Sequence, residues 1–110
     1  MSQSPEVVVV ASLIPSPGQD DAVQTALLEA VAATHEQDRG CRLYAAHRSV
    51  RGQEGFVVIE KWDSAEALSE HAAGSAFATL SKQLDGLLAE PLAATVLQPL
   101  PAGDERLGRL

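Results

Sequence analysis

Two apolar runs constrain this chain before any other feature does. Glu6 to Ile14 is a near-continuous apolar stretch containing four valines in a row. A run of that kind suits a strand buried on both faces, and hence a central strand of a sheet. The second run, Phe56 to Trp62, is rich in β-branched and aromatic residues and also reads as a strand. In it Phe56, Val58, Glu60 and Trp62 share one face, and Val57, Ile59 and Lys61 share the other.

The segments between and beyond these runs supply the other elements. Pro15-Ser16-Pro17-Gly18 is a turn, since proline cannot continue a ladder. From Gln19 to about Gln37 the period changes, and Val23, Ala26, Leu27, Ala30, Val31 and Thr34 form one stripe of an amphipathic helix. Asp20 and Asp21 sit in its first turn, where the dipole favours negative charge, and Gly40 is a natural stop. Cys41 to Val50 reads as a strand, with Cys41, Leu43 and Ala45 on one face and Tyr44 and Ala46 on the other. A glycine-bearing hairpin loop, 51–55, leads into the Phe56 strand. Ser64 then caps a second helical region, from Ala65 to about Leu88, broken near Gly74. Pro91 ends it. Leu92 to Leu100 is a last strand, and 102–110 is a C-terminal tail after a single domain spanning 1–101. Ser2 to Pro5 is a lead-in.

The order is therefore β-α-β-β-α-β, which gives an α+β, ferredoxin-like fold with a four-stranded antiparallel sheet and both helices on one face. The other sheet face is apolar as well, and the chain has nothing left to cover it. Exposing several β-branched side chains costs about 1.5–3 kcal/mol each. A homodimer paired through that sheet face is the expected solution.

The formal net charge of −7 argues against nucleic acid and anionic membrane surfaces as partners. No apolar run is long enough to span a bilayer, and the N-terminus lacks the pattern of a secretory leader. A single cysteine, Cys41, cannot form an internal disulfide and fits a cytoplasmic location. No histidine pair has ligand spacing, so no metal site is expected.

The chain resembles the antibiotic biosynthesis monooxygenase family, including its small quinol monooxygenases. The matching features are Pro17-Gly18, Gly40-Cys41 followed by Tyr44, the run Phe56-Val57-Val58-Ile59-Glu60-Lys61-Trp62, Ser64 with Ala67-Leu68, and His71 followed by Ser75 and Phe77. The resemblance spans about residues 6 to 101. It implies a dimeric α+β barrel and oxidation of an aromatic polyketide or quinol by O₂ without metal, flavin or haem. It also implies a pocket between sheet and helices. One position departs from the pattern. Many members carry a second histidine just before the aromatic residue of the second helical region, where this chain has Ala76. The fold also hosts isomerases and haem-degrading enzymes, so a small-molecule-binding or isomerising role without oxygen chemistry is the alternative.

Oxygenation without a cofactor needs a base, a donor for the developing oxyanion and a dry pocket. His71 is the candidate base, its ordinary pKa being about 6.5. Trp62 is grouped with it as catalytic, as part of an aromatic wall or as a hydrogen-bond donor. Tyr44, Glu60 and Phe77 are the candidate substrate-binding residues. Each has a plainer reading: His71 as a satisfied structural histidine, Trp62, Tyr44 and Phe77 as core, and Glu60 as a solvated edge carboxylate.

Overall fold

The computed structural model describes residues 5–110, so the lead-in expected at Ser2–Pro5 lies, apart from Pro5, outside the described residues. The elements are β1 (Val7–Leu13), α1 (Asp20–Gln37), β2 (Cys41–Arg48), β3 (Phe56–Trp62), α2 (Ala65–Ala72), α3 (Ser75–Leu84) and β4 (Ala93–Leu97). The strands form one antiparallel sheet in the order β2-β3-β1-β4. This is the ferredoxin-like arrangement expected from the sequence, with β1 and β3 in the centre.

Alternation sets which side chains lie beneath the helices. Along β3, Phe56, Val58, Glu60 and Trp62 are all buried, and their residues between are half-buried. The register pairs them with Leu13, Ala11, Val9 and Val7 of β1, so these residues share the covered face. From α1, Val23, Ala26, Leu27, Ala30 and Thr34 descend onto that face as one stripe. Fully burying a Leu or Val side chain contributes about 1.5–3 kcal/mol, and Leu13, Leu27, Val23 and Val58 are all of this kind.

Three details differ from the sequence reading. A β-bulge lies between Cys41 and Leu43, so that Cys41 pairs with Trp62 while Leu43 pairs with Lys61. The extra residue, Arg42, turns Cys41 to the helix-covered face with Tyr44 instead of the open face with Leu43. The second helical region ends at Leu84, seven residues before Pro91. Gly86 takes a left-handed conformation there (φ 79°), which stops a helix without steric cost. Leu87 and Ala89 are tied instead to the end of β1, through Ser16 N–H to the Leu87 carbonyl (2.8 Å) and Ala89 N–H to the Ile14 carbonyl (2.8 Å).

The third difference concerns the open sheet face. Val10, Val57, Ile59 and Ala45 there are only half-buried. The end of the chain, however, returns to one corner of it. Lys61 Nζ donates to the Leu110 carbonyl (2.8 Å), and Arg109 lies 3.6 Å from Glu6. Val8 is buried at that corner. The tail thus covers part of a face that the sequence reading left bare.

Candidate functional site

Local structure brings α2 onto the sheet. Ser64 caps the helix, its hydroxyl accepting from Ala67 N–H at 3.1 Å. The helix can close on the α1–β2 turn because residue 40 is glycine. A Cβ there would sit 2.3 Å from the Ala67 Cβ, a distance no packing tolerates. Seated in this way, α2 presents a single buried side chain, His71.

Three aromatic rings surround the imidazole. Ring centroids lie at 4.6 Å for Trp62, 5.4 Å for Tyr44 and 5.6 Å for Phe77. Asp38, at the end of α1, accepts a hydrogen bond from His71 Nδ1 at 2.7 Å. That bond leaves Nε2, on the far side of the ring, without a protein partner among the described residues. Beneath, Trp62 Nε1 donates to Glu60 Oε1 at 2.9 Å. Tyr44 and Glu60 face each other across β2 and β3.

Burial dominates the electrostatics of this cluster. It pushes the Glu60 carboxyl above its ordinary value, opposed by the Trp62 hydrogen bond and by charge on His71. It pushes the Tyr44 phenol up as well, with the Glu60 carboxylate adding to the effect. Tyr44 is thus held as a neutral donor across the ordinary pH range.

A cavity of about 240 Å³ lies between the sheet and the helices. Among the described residues its polar walls are Tyr44, Glu60 and His71; the rest is aliphatic or aromatic, including Leu13, Leu27, Phe77 and Leu80. Neither Lys nor Arg lines it. It reaches outward along β4, where Ala94 and Val96 line it yet stay exposed because no helix covers that edge strand. Trp62 is fully buried and does not form part of its wall. Of the five residues singled out in the sequence, four therefore line one cavity. The fifth stands behind it, against His71 and Glu60.

On its other side His71 borders a second, polar hollow of about 220 Å³, shared with Asp38, Arg39 and Glu70. Asp38 is the site residue that the sequence reading missed. It is 33 positions from His71, and its signal was faint: a carboxylate at a helix C-terminus, where the dipole favours a cation.

The other two histidines bond backbone carbonyls. His35 Nε2 bonds the Tyr44 carbonyl (3.0 Å), and His47 Nδ1 bonds the Val57 carbonyl (3.3 Å). The Cys41 thiol is pushed up by burial, away from the thiolate a nucleophile needs. Ala76 is buried in the seam between α3 and α1, beside Ala30 and Ala33, and does not line the cavity. Its difference from the expected histidine therefore removes no polar group from the cavity wall. Among the described residues, no three His, Cys, Asp or Glu side chains converge to hold a metal ion. Among the described residues, no helix is long and apolar enough to cross a membrane.

The family model of the antibiotic biosynthesis monooxygenases matches residues 6–83. A Mycobacterium tuberculosis protein named "Putative monooxygenase Rv0793" is 36% identical over 94 residues, covering 86% of this chain and 91% of its own. The solved structure of Rv0793 superposes with a TM-score of 0.80 at 32% identity, over 90% of this chain and 99% of that one. PA3566 from Pseudomonas aeruginosa superposes with a TM-score of 0.78 at 25% identity, over 91% and 99%.

Proposed function

Because this chain belongs to the antibiotic biosynthesis monooxygenase family, we propose that it oxidises a small neutral hydroquinone or phenol with O₂, using no cofactor. One observation carries the reading: a histidine backed by a carboxylate opens onto a mostly apolar cavity. His71 Nε2 takes the proton of a substrate hydroxyl. The phenolate so formed passes one electron to O₂, and the two radicals combine. Tyr44 donates to a substrate oxygen, and the aliphatic walls keep water out. Phe77 packs on the substrate ring. Glu60 accepts from a second hydroxyl, held in place by Trp62, which thereby supports the site from behind.

Size and charge narrow the substrate. An apolar cavity of about 150 Å³ admits a benzene, so one of about 240 Å³ suits two fused rings. Without Lys or Arg among the described residues of its wall, the cavity has no permanent cation to pair with a carboxylate or phosphate. A homodimer joined through the open sheet face completes the proposal.

An oxygen electrode tests the reading. Purified protein treated with chelator should consume O₂ with 1,4-naphthohydroquinone above the autoxidation background, in one-to-one proportion to product. It should do so faster than with three-ring or carboxylated analogues. Conversion of the same compounds under anaerobic conditions, without O₂ uptake, would replace oxygenation with isomerisation.

A further inference from the structure

Asp38 sits where helix electrostatics does not favour it. The C-terminal end of α1 carries partial negative charge, so a carboxylate there weakens the helix. Residues that break a local rule commonly do so for a site. Asp38 is mostly buried, with a side chain 14% exposed, and its one strong contact is with His71 Nδ1 at 2.7 Å. A carboxylate only accepts hydrogen bonds, so it fixes the proton on Nδ1 and leaves the lone pair on Nε2. The other charged or titratable groups around the ring do not compete for Nδ1. Glu60 on β3 is engaged by Trp62, Tyr44 on β2 lies across the cavity, and Glu70 and Arg39 border the outer hollow.

Resting on the reaction proposed above, we propose that Asp38 is a positioning residue that locks His71 in its Nδ1–H tautomer. One nitrogen, Nε2, then both takes protons from the substrate and returns them. The stoichiometry of the reaction makes this useful. A hydroquinone plus O₂ gives a hydroxyquinone plus water, with no net proton released. First, the substrate O–H bond breaks and the proton binds Nε2. One electron passes to O₂, a C–O bond forms between the radicals, and the peroxide takes the proton from Nε2. Next, Nε2 removes the proton from the same ring carbon. The O–O bond breaks, leaving a carbonyl on carbon and hydroxide as the leaving group. Nε2–H converts that hydroxide to water. Both oxygen atoms and every proton are accounted for inside the cavity, and Asp38 keeps its hydrogen bond throughout. A histidine free to change tautomer would strand the proton on the wrong nitrogen.

The test uses the full chain labelled with ¹⁵N-histidine, whose spectrum contains three imidazoles. Wild-type His71 should show a protonated Nδ1 and a bare Nε2. In Asp38→Asn the neutral amide no longer enforces that tautomer, and the Nε2–H form should appear. kcat for naphthohydroquinone should then fall about 10²-fold or more, with KM and thermal midpoint little changed, and Asp38→Glu should recover part of the rate. A merely structural Asp38 would lower the midpoint and leave the tautomer as it was. An Nε2–H tautomer in the wild type, or full kcat in Asp38→Asn, would overturn the proposal. If the wild type consumes no O₂ at all, the tautomer result alone decides the positioning role, and the reaction above is what fails.

Discussion

Glu60 is a carboxylate whose charged form burial penalises. Only 5% of it is exposed, and burial raises its carboxyl above the ordinary value of 4.5 despite the Trp62 hydrogen bond. The native state therefore holds this proton more tightly than the unfolded chain does. The stability that follows is fully present below about 4.5 and is lost as pH rises through the raised native value. Glu60→Gln keeps an oxygen for Trp62 and removes the charge. It should be more stable than the wild type at pH 8, with the difference closing towards pH 4.5, in denaturant titrations at the two pH values. A variant less stable at pH 8 would contradict this account. At this scale the sequence was half legible. Alternation along Phe56–Trp62 placed Glu60 on the same face as Trp62, but left open whether that carboxylate is inward or solvated. Periodicity put His71 on a helix face but did not point to Asp38, because the contact joins the C-terminal ends of two helices, at residues 33 positions apart.

Among the elements, legibility followed local chemistry. The stripe of α1, the Ser64 cap and the break near Gly74 were all readable, because each is set by residues close in sequence. What was not readable depends on neighbours far along the chain. The bulge that turns Cys41 inward is a matter of pairing with β3, and the closeness of α2 depends on Gly40 meeting Ala67. The sheet itself carries the prediction at this scale. Its open face presents Val10, Val57 and Ile59, while residues 108–110 lie at the Val8 corner. Half-buried β-branched side chains over such an area favour a second copy. The protein should therefore sediment as a dimer, and Ile59→Lys should sediment as a monomer that keeps its native circular dichroism. A wild type that is monomeric at micromolar concentration would remove the dimer from the proposal.

At the scale of the whole molecule, a negatively charged protein encloses an apolar cavity with one histidine positioned by one carboxylate. The architecture followed from the order of elements. The resemblance to the family spans about residues 6 to 101, of which 6–83 match the family model. The cavity's volume and its opening along β4 did not follow from the sequence, because they depend on where α2 and α3 stop and how closely they sit on the sheet. In the proposed reaction His71 is the base, and oxygen uptake with and without its imidazole decides whether it is. Steady-state O₂ uptake with naphthohydroquinone would be measured for wild type and His71→Ala, each first shown to have the same sedimentation coefficient. The wild type should take up O₂, and the variant should lose about 10²–10⁴-fold in kcat. Equal rates in the two proteins would contradict that role for His71.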